Sequence, residues 1–247
     1  MAAEINTICY NRIPNSNSGG KFMNVKKFLL SASILLLLIS TSYADSNPEE
    51  IISDSLAVLK EISAQEDVSR MAETLRGSYA VAIVPSMVKA GILLGGEYGE
   101  GRILRREKGR WYGPSFYNLG GASFGIQIGA QKVSLLMAVI NERGVNAFLS
   151  TKTKLGGDVA VAAGPVGRHA QAATDAKGKA SIYSYSMSKG LFAGASLDGS
   201  VISISVKRNR EYWGEGVSAS EALSKPAVDK RIAPLLQALD ELIRKAQ

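Results

Sequence analysis

The chain has 247 residues, of which 29 are Lys or Arg and 22 are Asp or Glu, so its formal net charge is +7. Its one cysteine, Cys9, lies within the first 44 residues, and the rest of the chain therefore forms neither disulfides nor thiolate metal sites. Without those 44 residues, 25 basic and 21 acidic groups remain, an excess too small to favour nucleic acid as a partner.

The first 44 residues have the pattern of a targeting segment. From Met23 they follow the order of a Sec signal peptide: basic Lys26 and Lys27, the apolar run 28–39 and the small-residue site Ser42-Tyr43-Ala44. An uncleaved anchor is the alternative, but this run is shorter than the ~20 residues that a membrane-spanning helix needs. We expect residues 1–22 to be a disordered upstream extension. The exported chain, periplasmic or secreted, would then be a single domain over 45–247.

Both ends of this domain carry helix signals. Asn47-Pro48-Glu49-Glu50 combines a capping side chain, a proline at the first helical position and a glutamate three residues after the cap. A second short helix is predicted over 68–76. Near the C-terminus Ser218-Ala219-Ser220-Glu221 is another capping box, and apolar residues at helical spacing after Pro234 predict a final helix.

The region between these helices has the texture of an antiparallel sheet. YAVAIVP (79–85) is typical of a buried strand, and from there to Lys207 glycines and turn signals interrupt apolar runs. Glycines within strands favour bulges or strong coiling. The further strand candidates are 91–98, 101–107, 122–131, 132–141, 158–164, 179–187, 191–197 and 199–207. We predict an α+β fold with N-terminal helices, a strongly coiled antiparallel glycine-rich sheet or small barrel, and a C-terminal helix.

A match to the nucleophile elbow of serine hydrolases, G-x-S-x-G, occurs at 121–125. Ser123, Asp158 and the only histidine, His169, follow in the chain order of α/β-hydrolases. The elbow needs a strand, a sharp turn and a helix, whereas the residues after Ser123 are typical of a strand and the chain lacks strand–helix alternation. A serine hydrolase is therefore an alternative that the surrounding sequence disfavours, and we expect no enzyme activity.

Phosphate, metal and cofactor sites are not expected either. The glycine-rich stretch 95–101 precedes a predicted strand, whereas phosphate-binding loops open a helix. With one histidine and no cysteine in the domain, no set of ligands typical of zinc is available.

Two stretches place basic residues beside aromatic ones, a combination that suits an anionic membrane surface. Each exposed Lys or Arg near such a surface adds about 1 kcal/mol at most. The alternative is that both stretches are ordinary solvated hairpin turns. The candidate lipid-binding residues are Arg105, Arg106, Lys108, Arg110 and Trp111 in the first stretch, and Lys207, Arg208, Arg210 and Trp213 as a second patch.

An ordered set of motifs over roughly 50–215 resembles the SYLF domain family, known from eukaryotic lipid-binding proteins, yeast actin-binding endocytic proteins and exported bacterial proteins. In that family the G-x-S-x-G-like segment belongs to a structural glycine framework. The matching segments are 82–85, 88–91, GGEYGEG (95–101), Trp111 with Pro114, GGASFGIQIGAQ (120–131), 141–144, LGGDVAVAAGPVGR (155–168), Tyr185-Ser186 and SKGLFAGASLDG (188–199).

The resemblance implies non-enzymatic binding of membrane phospholipid, phosphoinositides in eukaryotic members, with actin binding in fungal ones. The predicted N-terminal helix is mostly acidic, so the basic membrane-binding face of the family is missing there. We expect binding of anionic phospholipid at a bacterial cell envelope, with a structural or protein-interaction module of the envelope as the alternative. Because an exported protein does not meet actin unless it reaches a host, actin is not an expected partner.

Overall fold

The computed structural model describes residues 46–166 and 180–246. The predicted extension 1–22, the predicted signal peptide 23–44 and His169 lie outside these ranges, so those expectations stay predictions. Within the described ranges the architecture is the predicted one, with N-terminal helices, a strongly curled sheet and a C-terminal helix.

The predicted helices at both ends are confirmed. Helix α1 (Pro48–Ser63) starts with a reciprocal cap, in which the Glu50 amide donates to the Asn47 side chain at 2.9 Å and the Asn47 amide to the Glu50 carboxylate at 3.1 Å. Helix α2 (Ser69–Arg76) follows. Ser218 and Glu221 form the second predicted capping box. In the part of the chain that the structure describes, no helix is long and apolar enough to cross a membrane.

Seven strands of the described residues form one sheet, built around two long strands that pair along nearly their whole length. On its other edge β2 pairs with β7 in its first half and with β5 in its second half. The strands are β1 (Ala80–Glu107), β2 (Arg110–Val139), β3 (Thr153–Lys154), β4 (Val161–Ala163), β5 (Ile182–Ser188), β6 (Leu191–Gly194) and β7 (Val201–Ile204). The remaining helices are α3 (Glu142–Ala147), α4 (Val206–Trp213), α5 (Ala219–Ala222) and α6 (Ala233–Arg244).

Three details of the predicted sheet are wrong. The candidates 79–85, 91–98 and 101–107 are parts of one strand, β1, and the candidates 122–131 and 132–141, the second as far as Val139, likewise fall in the single strand β2. Glycines interrupt the apolar pattern without ending the hydrogen-bonded ladder. The candidate 199–207 ends at Ile204, after which α4 begins. The sheet is not wholly antiparallel, since β4 pairs with β5 in parallel.

Both faces of the sheet are covered where β1 begins, which explains the uninterrupted apolar run of its first residues. Val81 and Ile83 belong to a core shared with α1, α2 and α6, whereas Ala80, Ala82 and Val84 belong to a second core on the opposite face. Side chains of a strand alternate between faces, so a strand buried on both sides is apolar throughout.

Candidate functional site

The first basic and aromatic stretch forms the turn between β1 and β2. Glu107 pairs with Arg110, and the two residues between them, Lys108 and Gly109, have φ values of 48° and 77°. Positive φ at both central positions is the geometry of a type I′ hairpin, whose twist matches that of the strands. The main chain therefore holds this turn at the end of a long two-stranded ribbon.

Only part of this stretch has uncompensated charge. Arg105 pairs with Glu107 at 3.4 Å and with Glu142 at 3.7 Å. The guanidinium of Arg106 lies 5.5 Å from the centre of the Trp111 ring. Lys108 and Arg110 are exposed and form no ion pair with any residue in the described ranges. Of the four cations of this stretch, these two are the best placed to meet an anion.

Trp111 does not lie at a surface, contrary to the expectation that its ring reaches a membrane interface. Its side chain is only 7% exposed, and it belongs to the core between the sheet and the helices. The indole Nε1 donates a hydrogen bond to Asp240 Oδ1 of α6 at 2.9 Å. The ring thus fastens the start of β2 to the last helix, and we remove Trp111 from the candidate lipid-binding residues.

Replacing Trp111 with phenylalanine is expected to lower the free energy of unfolding by about 2 kcal/mol, because the bond to the Asp240 carboxylate is lost while the ring remains apolar. Urea denaturation followed by circular dichroism measures this change. Binding to anionic vesicles should be unaffected by the same substitution. A variant of unchanged stability that bound vesicles less well would instead give Trp111 a direct membrane role.

The second basic and aromatic stretch forms helix α4, not a hairpin turn. Arg208 is 2% exposed and is held by Glu100 at 3.2 Å and by Glu211 at 3.1 Å. Burial raises the pKa of Glu100, although nearby Lys207 opposes that shift. A buried, doubly paired arginine cannot reach a headgroup without breaking this network. Arg208 is therefore not a candidate lipid-binding residue either.

The other members of the second patch are also engaged within the domain. Lys207 approaches Glu211 at 4.0 Å, and Arg210 pairs with Glu215 at 3.5 Å. Trp213 donates from Nε1 to the Pro114 carbonyl at 2.8 Å. Exposed ion pairs of this kind contribute little to stability, but each pair presents almost no net charge to a ligand. This helix is the weaker of the two candidate surfaces.

The residues of the hydrolase alternative do not form an elbow. Ser123 lies inside strand β2, opposite Gly95 of β1, so no turn into a helix follows it. The Asp158 carboxylate accepts a hydrogen bond from the Lys154 amide at 2.7 Å in a local turn. His169 lies outside the described residues. The geometry that exposes a nucleophile above a parallel sheet is therefore absent at Ser123.

The glycine-rich stretch Gly95–Gly101 lies within β1 and opens no helix, as expected. The two-residue turn between β5 and β6 lies between the predicted strands 179–187 and 191–197, but the sequence reasoning gave it no functional role. The Lys189-Gly190 pair between two apolar runs is the turn signal that marks it.

Comparison with known proteins identifies a matching family and several similar proteins. A family model described as "Ysc84: Las17-binding protein actin regulator" matches residues 120–242. LAS seventeen-binding protein 3 of Saccharomyces cerevisiae is 37% identical over 177 residues, which cover 68% of this chain and 38% of that protein. The SH3 domain-containing YSC84-like protein 1 of Xenopus laevis is 37% identical over 134 residues, covering 53% of this chain and 40% of that protein. The chain thus spans about two fifths of the length of these relatives.

These relatives correct one expectation about partners. We expected actin not to be a partner, because we expected the chain to be exported. The matching family is described as an actin regulator, and a yeast relative is named for binding Las17, so that expectation is wrong. The same comparisons bear out the resemblance drawn from the glycine-framework motifs, and nothing in them supports a serine hydrolase. The chain belongs to the Ysc84 family, which is the SYLF family of those motifs.

Proposed function

We propose that this domain is a non-catalytic module that binds the surface of an anionic phospholipid membrane through the turn between β1 and β2. The observation that carries the proposal is the pair of exposed cations Lys108 and Arg110, which form no ion pair within residues 46–166 and 180–246, on a turn whose main chain is fixed. Arg105 and Arg106 lie behind them, where their charges are shared with neighbouring groups.

The expected strength of this contact is modest. Two cations at about 1 kcal/mol each correspond to roughly 30-fold in affinity at low ionic strength, and less in salt, since exposed charges are screened within about 10 Å at 0.1 M. A contact of this size holds a protein on a membrane only together with a second one.

The test is co-sedimentation of the chain with phosphatidylglycerol vesicles, compared with neutral vesicles, across a salt series. A double variant, Lys108→Asp with Arg110→Glu, should bind at least about 30-fold more weakly at low salt. Aspartate is chosen at 108 because it tolerates the left-handed backbone of that position. The matched control is Lys152→Glu with Lys230→Glu, which changes the net charge equally at exposed positions elsewhere. Equal loss in both double variants would mean that net charge alone governs binding.

The second candidate function is binding to a protein of the actin-regulating machinery. The family description and the names of the yeast relatives favour it. Co-sedimentation with purified actin filaments tests it directly. If the chain pellets with filaments but with no vesicle at any salt concentration, the lipid proposal fails and the protein partner takes its place.

A further inference from the structure

We propose that the turn between β5 and β6 is a second membrane contact, which inserts Leu191 into the apolar layer of an anionic bilayer. This inference rests on the proposed function, whose two cations alone are too weak a contact to hold a protein on a membrane. It assigns a role to Lys132, Lys189 and Leu191, all of which are exposed.

The turn holds Leu191 in a fixed position. Ser188 pairs with Leu191, and the two residues between them, Lys189 and Gly190, have φ values of 50° and 77°. This is a second type I′ hairpin, the tightest connection between antiparallel strands. An apolar side chain held by such a turn needs little ordering when it enters another phase, so the entropic cost of binding is small.

The side chains of β6 alternate, and Leu191 lies on the outer face. Phe192 stacks on Tyr185 with ring centres 5.8 Å apart and planes 9° from parallel, which anchors the hairpin to the core. Leu191 is 76% exposed, the largest exposed fraction among those large hydrophobic residues of the sheet whose side chains the structure describes. Because Phe192 already anchors the strand, Leu191 is not needed for packing and remains available to a ligand.

Two exposed lysines belong to this hairpin or to the strand beside it. Lys189 occupies the turn itself, and the neighbouring strand contributes Lys132, whose carbonyl accepts from Ser188 Oγ at 3.5 Å. Neither lysine forms an ion pair with a residue of the described ranges. Glu97 of β1 is buried and paired with Lys89 at 3.0 Å. An apolar tip next to the uncompensated Lys189, with Lys132 on the neighbouring strand, matches the layered chemistry of an anionic bilayer, with phosphates above acyl chains.

The experiment places tryptophan at the tip and uses vesicles of phosphatidylglycerol with brominated acyl chains, which quench indole fluorescence on contact. The Leu191→Trp variant should emit at shorter wavelength when vesicles are added and should be quenched more than the wild-type chain, in which Trp111 is buried and Trp213 is half-buried, each with its indole Nε1 hydrogen-bonded within the domain. The matched control is Gln237→Trp, at an exposed position of α6, a helix that packs on the face of the sheet that carries Phe192 and not on the face that carries Leu191. This control should show no added quenching.

Substitution gives a second readout. The Leu191→Ser variant should bind anionic vesicles about tenfold more weakly, as expected for losing one inserted leucine, while Gln237→Ser binds as the wild type does. If wild-type chain and Leu191→Trp both sediment with vesicles but the added indole is not quenched, the tip proposal is overturned and the β1–β2 contact stands. If the wild-type chain does not sediment with vesicles at all, the proposed function fails and the tip proposal fails with it.

Discussion

Replacing Gly101 with alanine is expected to lower the free energy of unfolding by about 3 kcal/mol, although only one methyl group is added. A Cβ at this position would lie 2.5 Å from the Ile83 carbonyl oxygen and 2.8 Å from the Tyr117 hydroxyl. Ile83 belongs to the same strand, eighteen residues earlier, so the methyl group would occupy the space where β1 curls back over itself. Neither neighbour can move freely, because both residues are buried.

The matched control lies in the same strand. A Cβ at Gly96 would meet nothing nearer than the Gly121 carbonyl at 3.9 Å, an ordinary contact, and Gly96 is exposed. Gly96→Ala should therefore change stability by less than about 0.5 kcal/mol, or raise it slightly, since alanine is less costly to order than glycine. Thermal or urea unfolding of the two variants separates the alternatives. Equal stability of both variants would show that the curl of β1 does not require a glycine at 101.

This pair of glycines shows why the sequence predicted a coiled sheet without predicting the length of its strands. Glycine density indicated bulges and coiling, which the register shifts within β1 bear out. Whether a given glycine ends a strand or permits a close approach depends on what lies opposite. For Gly101 the neighbour is Tyr117, reached across the hairpin. A local pattern does not contain that information.

Helix starts were predictable because their causes are local. The Asn47 and Ser218 caps each involve a side chain and a main-chain amide three residues apart, so the sequence window contains the whole interaction. Helix α4 was mistaken for a strand and turn because Ser205 makes no side-chain cap bond. Its position instead depends on Asn209, whose side chain exchanges hydrogen bonds with the distant main chain of Phe116.

The candidate site was only partly predictable for a related reason. Arg105 and Lys108 lie in the same basic run, yet Arg105 is compensated by Glu142 and Lys108 is not. Trp111 was expected outside because basic residues precede it, but its partner Asp240 is 129 residues away. The composition of a run shows that charges are present, and only the fold shows which of them remain free.

Replacing Arg102 with methionine is expected to stabilise the domain by about 2 kcal/mol at pH 7, because a buried charge without a counter-charge is removed. Arg102 is fully buried, and its Nη1 donates to the Ile51 carbonyl at 2.8 Å and to Ser55 Oγ. Its Nε and Nη2 have no partner within the described part of the chain. The substitution leaves no new unsatisfied group at Ser55, since Ser55 Oγ keeps its own bond to the Ile51 carbonyl at 2.7 Å.

The pH dependence identifies the charge as the cause. Burial lowers the pKa of Arg102 to about 9, below its ordinary value of 12.5. Below pH 9 the group is charged in both the folded and the unfolded chain, and the folded state bears the full desolvation cost. Between pH 9 and 12.5 the unfolded chain binds more protons at Arg102 than the folded chain does, so the contribution of Arg102 to the free energy of unfolding increases with pH. The advantage of the methionine variant should therefore be constant up to about pH 8 and shrink above pH 9.

Urea unfolding of the wild type and the methionine variant between pH 7 and pH 10 measures the difference between their free energies of unfolding. Other buried groups, such as Tyr117, also change stability with pH, but they do so in both chains, so their effect largely cancels in this difference. Arg102→Lys is the matched control: it keeps a buried charge with fewer donors, and it should be less stable than both other chains. A methionine variant less stable than the wild type at pH 7 would mean that the bonds from Arg102 to α1 outweigh its desolvation. In that case Arg102 would be the residue that fixes α1 to the sheet, and the lysine variant should then fall between the wild type and the methionine variant.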